Sequence, residues 1–223
     1  MDVGFLDTTF RDGSQSLWAM GLRHGIMEAV AADMDRVGFD VIEVPANAIH
    51  FKKVIRDLKE NPWEVMRMLA REMPRTPKSC MAGGLNLNTL GWPTPPALGK
   101  LFWTLQAEMG ALQRAQLTGN TMDQMTRIFP TLIPFFKGIG VKCAIALSYS
   151  ISPRHTDALY AAQTRLAAAF APDAIYLKDQ GGLLPVHPIP TLIPVLRENA
   201  TGIPFELPSH CTPGFAPLIY IDA

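Results

Sequence analysis

Short apolar runs recur along the chain, and each gives way to polar or ionisable residues. VGFLDTT from Val3, VIEVPA from Val41, KSCMAGG from Lys78, LQRAQL from Leu112, KCAIALS from Lys142, AIYLKD from Ala174 and PFELPSH from Pro204 start roughly 30 to 38 residues apart. Runs this short, bounded by turn residues, predict buried strands. Between them the apolar spacing becomes helical. Ile26, Val30, Met34 and Val37 form one predicted core stripe, ended by Gly38 as a C-cap. Trp63, Val65, Met66, Met68 and Leu69 form a second. Leu159, Ala162, Leu166 and Phe170 form a third, after Ser152-Pro153. Strand, helix and strand at this period predict βαβ units and a parallel sheet.

A parallel sheet either stays open or closes into a barrel. An open dinucleotide-binding sheet carries GxGxxG after its first strand. Here that turn reads DTTFRDGSQS, with a single glycine. A barrel instead gathers active-site groups at the C-terminal ends of many strands. This chain places polar groups there repeatedly: Arg11, Asp12 and Gln15; Glu43 and Asn47; Asn86, Thr118 and Asn120; Ser148; Lys178 and Asp179; His210 and Thr212. The expected fold is therefore α/β, a (β/α)8 TIM barrel. Only seven strands are countable, and the chain stops at GFAPLIYIDA, in what reads as the seventh helix. An eighth unit would need roughly 30 more residues. The expectation is one domain over 1–223, an incomplete barrel truncated at its C-terminus, completed by another chain or left with an open sheet edge.

Composition narrows the function classes. The 223 residues are 48% hydrophobic and 18% charged, suiting one sizeable soluble domain. The net charge is zero, so neither nucleic acid nor a polybasic membrane contact is expected. Cys80, Cys143 and Cys211 are scattered and form no disulfide framework, which points to a reducing cytoplasm. No signal peptide is visible, and no apolar stretch reaches the ~18 residues of a membrane helix.

Asp12, Lys178 and His210 are the candidates for metal chemistry. A carboxylate and an imidazole from different strands can share a divalent ion. A lysine joins them only as a carbamate, formed with CO₂. On spacing alone three bland roles stay open: a capping carboxylate, a lysine paired with Asp179 and a satisfied loop histidine. His24, His50, His155 and His187 lack the spacing of a metal site and read as surface or loop residues. WPTPP from Trp92 reads as an extended proline-rich connector. No serine sits in a G-x-S-x-G setting.

Five ordered segments resemble the pyruvate carboxyltransferase family: the carboxyltransferase domain of pyruvate carboxylase, the oxaloacetate decarboxylase alpha subunit and transcarboxylase. DTTFRDGSQSLWAM is similar to its DTTLRDxHQSLLAT opening, and IEVPANAIHF to E-x-W-G-G-A-T-F. ENPWEVMRMLAREMPRTP, IYLKDQGGLLPV and SHCTPGFAP resemble its P-W-x-x-L helix, its K-D-M-A-G-L-L segment and its H-x-H-x-T-x-G segment. The wider barrel group includes isopropylmalate synthase and hydroxymethylglutaryl-CoA lyase. The resemblance implies a divalent metal (Zn, Mn or Co) on Asp12, carbamylated Lys178 and His210. It implies a 2-keto acid held by Arg11 and Gln15, with Arg11 and Lys178 catalytic. It also implies carboxyl transfer through an enolate, with carboxybiotin supplied by another domain or chain. Homo-oligomers and membrane-complex subunits are the further partners it suggests.

The chain departs from this pattern at several positions. Pro208 stands where the first histidine of HxH belongs, and Gly83 where the third strand usually ends in an arginine. Leu117 replaces an aspartate, and Pro45-Ala46-Asn47 replaces W-G-G. Two other functions therefore stay open. One is a biotin-free aldolase, lyase or synthase of the same barrel group; the other is a degenerate, non-catalytic structural subunit.

Overall fold

The computed structural model describes residues 3–85, 94–185 and 189–222. Asn86, Trp92 and His187 lie outside the described residues. β1 (Leu6–Asp7) leads through a π-helical turn (Thr9–Gly13) to α1 (Ser14–Trp18) and α2 (His24–Val37). β2 (Val41–Glu43) precedes α3 (Ala48–Lys53), a second π-helical turn (Val54–Leu58) and α4 (Pro62–Glu72). β3 (Lys78–Ala82) precedes α5 (Pro96–Glu108), and β4 (Arg114–Thr118) precedes α6 (Met122–Gly138). Then come β5 (Lys142–Ser148), α7 (Asp157–Ala169), β6 (Ala174–Lys178), α8 (Ile189–Asn199), β7 (Phe205–Glu206) and α9 (Ala216–Asp222).

The strands follow in chain order, and β1–β2, β2–β3, β5–β6 and β6–β7 pair in parallel. Seven parallel strands alternating with helices are the βα repeat of an incomplete (β/α)8 TIM barrel, as the sequence periodicity predicts. The described part of the chain contains no helix long and apolar enough to cross a membrane. The chain divides into two compact units, Met1–Ala115 with Phe135–Val141 and Gln116–Pro134 with Lys142–Ala223.

In the first unit α2 corrects the expected stripe. Ile26, Val30 and Val37 face outward, and the buried face is Met27, Ala31 and Asp35. Backbone bonding sets this rotation. The Asp35 carboxylate accepts the Thr76 N–H at 2.7 Å and the Arg75 N–H at 3.2 Å, closing the chain just before β3. The Thr76 amide would otherwise be buried without an acceptor, so a carboxylate outranks the apolar stripe for the inner face. Gly38 ends α2 at φ +88°, the left-handed C-cap expected of it. α4 starts at the Asn61 side chain, which accepts the Trp63 N–H at 3.0 Å, and Pro62 follows. Its buried face holds Val65, Met66, Met68 and Leu69 of the predicted stripe, with Trp63 half-buried beside them. Phe51, Trp63, Phe102, Trp103 and Phe136 meet edge to face, with centroids 4.9–5.7 Å apart. Beside them α5 presses on the chain after β3, where a Cβ at Gly99 would run into the Leu85 carbonyl oxygen.

In the second unit β5 and β6 pair from Ala144↔Ala174 to Ser148↔Lys178. Period two puts Ala144, Ala146 and Ser148 on one face with Ala174, Tyr176 and Lys178. Three alanines leave room for the Tyr176 ring, whose hydroxyl donates to Gln116 Oε1 at 3.2 Å. α7 is capped by Thr156, which accepts the Leu159 N–H at 3.3 Å. It buries Tyr160, Gln163, Thr164 and Ala167, and the expected stripe of Leu159, Ala162, Leu166 and Phe170 lies half-buried beside them.

Burial works against the Asp35 carboxylate, but its bonds from Thr76 and Arg75 outweigh that and lower its pKa. Its stabilisation is therefore present above the unfolded value of about 3.9 and is lost as pH falls through the lower folded one. Asp35→Asn is expected to cost about 1–3 kcal/mol at pH 7, with the gap to the parent narrowing in denaturant titrations near pH 3. An undiminished gap there contradicts the assignment. Gly99→Ala is expected to destabilise by about 1–3 kcal/mol in the same assay, the range for overpacking.

Candidate active site

In the first unit the candidate residues lie on the turn after β1. Asp7 accepts the Thr9 N–H at 2.9 Å and the Thr9 hydroxyl at 2.8 Å, bending the chain as the strand ends. The Thr8 carbonyl then accepts from Arg11, Asp12 and Gly13 at 3.2, 2.9 and 3.0 Å. One carbonyl gathering three amides makes the wide π-helical turn, and the turn carries Arg11 inward to 5% exposure.

Arg11 lies between two carboxylates. Its Nε donates to Glu43 Oε2 at 2.6 Å, Nη2 pairs with the same oxygen, and Nη1 donates to Asp12 Oδ1 at 2.7 Å. Glu43 is the last residue of β2 and is 2% exposed. Burial alone would lower the Arg11 pKa, but Glu43 and Asp12 outweigh it and raise the value. The guanidinium is fixed in charge and direction. Reading the sequence flags Glu43 only as a polar strand end. Its contact with Arg11 spans 32 positions and depends on the β1–β2 register, Asp7↔Ile42.

Behind this cluster lies His50, which is not the surface or loop residue expected of it; it is 2% exposed. Asn47 caps α3, its Oδ1 accepting the His50 N–H at 3.1 Å and lying 2.9 Å from His50 Nδ1. Because that oxygen already serves as an acceptor, Nδ1 supplies the proton. His50 Nε2 is buried, and the ring lies against the Arg11 backbone. Burial lowers the His50 pKa to about 4, and the Arg11 charge acts in the same direction; the Arg11 backbone and Asp12 oppose them. The sequence signal for this arrangement is N-x-x-H at a helix start, with the imidazole in the capping-box position. Gln15, on α1, is exposed. Gly83, where the resemblance expects arginine, is also exposed, and a Cβ there would meet nothing within 4 Å.

The second unit brings the β6 and β7 ends together. Half-buried Lys178 ends β6, and Asp179 follows at 1% exposure. The Asp179 carboxylate accepts from the Leu183 N–H at 2.7 Å, the Leu184 N–H at 2.9 Å and the Ser209 hydroxyl at 2.8 Å. Its N–H donates to the Pro208 carbonyl at 3.0 Å, and its carbonyl accepts the His210 N–H at 3.2 Å. Gly182, at φ +62°, lets the loop pass Thr212, whose backbone N and Oγ1 a Cβ would strike. Lys178 and the exposed His210 thus stand on two loops stitched by one carboxylate. Across the ladder from Lys178, the Ser148 hydroxyl donates to Asn120 Oδ1 at 2.8 Å.

In the first unit Asp12 offers a carboxylate with an 18% exposed side chain. Lys178 and His210 belong to the second unit. Among the described residues no group of three or more His, Cys, Asp or Glu could hold a metal by itself. The implied set includes a lysine and does not depend on such a group.

No family model matches the chain. It is 33% identical over 219 residues to a pyruvate carboxylase subunit of Methanocaldococcus jannaschii, covering 98% of this chain and 38% of that protein. It is 32% identical over 226 residues to the corresponding pyruvate carboxylase subunit of Methanothermobacter thermautotrophicus, covering 99% and 38%. The 2-oxoglutarate carboxylase large subunit of Hydrogenobacter thermophilus is 28% identical, covering 94% and 32%. The chain thus spans well under half the length of these relatives. The carboxyl transferase domain from Rhizobium etli pyruvate carboxylase, solved with pyruvate and biocytin, shares the fold: TM-score 0.84 and 23% identity, over 99% of this chain and 38% of that one. Near-complete alignment of this chain to the two pyruvate carboxylase subunits, on a βα barrel with the RD turn and the K-D loop in place, supports its place in the pyruvate carboxyltransferase domain family.

Proposed function

We propose that residues 1–223 act as a cytoplasmic, biotin-dependent carboxyltransferase domain working on a 2-keto acid of the pyruvate or oxaloacetate kind. The observation that carries this is the buried Arg11, held charged between Glu43 and Asp12 at the end of β1. A fixed guanidinium suits a planar carboxylate. It also favours the enolate of a bound keto acid over the neutral form. The Methanocaldococcus and Methanothermobacter relatives carry pyruvate carboxylase in their names, which supports the reaction class.

Arg11 orients the acid, with Gln15 on α1 as its second contact. Glu43 keeps the guanidinium aimed. Asp12, Lys178 as a carbamate and His210 would hold a divalent metal (Zn, Mn or Co), which supplies Lewis acidity toward the keto oxygen. Carboxybiotin on a carrier domain or subunit would supply the carboxyl group, taken up at the carbon next to the keto group in exchange for that carbon's proton. The Asp179 stitch holds the Lys178 and His210 loops in register for this work.

Asp12→Ala and Lys178→Ala are each expected to abolish biotin-dependent carboxyl transfer in the assembled enzyme. Full activity in either variant refutes the site. Turnover without any biotin protein would instead favour an aldolase or lyase. Glu43→Gln removes one of the charges that hold Arg11. It is expected to lower kcat/KM for the keto acid at least about tenfold, roughly 1.4 kcal/mol of transition-state stabilisation, with KM rising. Unchanged kinetics in a folded Glu43→Gln enzyme would rule out the positioning role.

A further inference from the structure

The face of the second unit that carries Lys178 is built in levels. Tyr176 stands opposite Ala146 on the β5–β6 ladder, and its hydroxyl reaches Gln116 of β4 across that alanine. Gln116, Ala146 and Tyr176 therefore form one level. Two residues further along each strand, side chains return to the same face, and the next level is Thr118, Ser148 and Lys178. Each of the three is the last residue of its strand.

The two hydroxyls of this level differ. Ser148 gives its proton to Asn120 Oδ1 at 2.8 Å. Thr118 Oγ1 is buried and has no hydrogen-bond partner among the described residues. Interior polar atoms are rarely left in that state. A lysine ammonium has three donors and would use a hydroxyl oxygen within its reach, yet the Lys178 ammonium leaves this one unused. A carbamate on Lys178 reverses the demand. It is an acceptor, and it is longer than the amine by a carboxyl group. If one of its oxygens binds the metal, the other calls for a hydrogen-bond donor.

We propose that the Thr118 hydroxyl is the donor that holds the Lys178 carbamate, which makes Thr118 a positioning residue for that lysine. This rests on the carbamate reading above and adds to it a residue of β4. In forming the carbamate, the Lys178 ammonium loses one proton, and the neutral amine attacks CO₂ to make the N–C bond. A second proton then leaves to solvent, and one negative charge is left on the two oxygens. A charge-assisted bond from Thr118 stabilises this product and not the free amine, so it shifts the equilibrium toward carbamylation.

The test is ¹³C NMR of the full chain with Zn(II), titrated with ¹³C-bicarbonate. A carbamate signal that Lys178→Ala abolishes is expected. Thr118→Val should need at least about tenfold more bicarbonate for half occupancy, and Thr118→Ser should restore the parent value. Without bicarbonate, Thr118→Val should be no less stable than the parent in denaturant, because it removes an unpaired buried hydroxyl. A Thr118→Val chain that carbamylates like the parent overturns the proposal and leaves the carbamate reading standing. A parent that shows no Lys178 carbamate removes that reading, and this proposal with it. If Thr118→Val fails to fold, the Thr118 methyl resonance of the unsubstituted chain decides. It should shift in step with the carbamate signal, and an unmoved methyl overturns the proposal.

Discussion

A buried guanidinium must be surrounded by acceptors, because leaving its charge uncompensated in the interior is prohibitive. Arg11 meets that demand with Glu43 from β2 and Asp12 from its own turn. Much of the first unit is arranged around this need. The Asp7–Thr9 bonds bend the chain, the Thr8 carbonyl widens the turn, and the β1–β2 register brings Glu43 into range. Asp12 is drawn in twice, once as a partner for Arg11 and again, on the proposed reading, as a metal ligand. A carboxylate has lone pairs for both roles.

The second unit uses the same chemistry for a different end. The charge of Asp179 goes into loop amides and a hydroxyl, not into substrate chemistry. In KDQGG the aspartate and the second glycine serve the architecture, and the lysine is the residue that the proposed reading puts to work. The motif is therefore two overlapping devices, a ligand candidate at the strand end and the knot that holds it.

The strand–helix repeat is readable because a buried parallel strand needs a continuous apolar run and its helix needs a different period. β5 and β6 fall where KCAIALS and AIYLKD place them. α2 misleads because its inner face includes Asp35, chosen for the backbone amides near Thr76. Hydrophobicity cannot express that choice. In the site, Arg11 and Asp12 are legible as adjacent charges at a strand end. The Arg11–Glu43 contact needs the sheet register, and the burial of His50 needs the packing of α3 beneath the turn. A single histidine flanked by Ile49 and Phe51 carries no spacing that separates a surface position from an interior one.

The Asp179 stitch has one more consequence. With a single carboxylate bonded to Leu183, Leu184 and Ser209, and Gly182 seated against Thr212, the two loops share one set of fastenings. Neither can drift in sequence by itself. A change at Ser209 or Thr212 is read by the glycine turn, and a larger residue at Gly182 is read by the segment that carries His210. Descendants of this chain can alter their chemistry at the neighbouring positions only while that shared fastening is inherited whole.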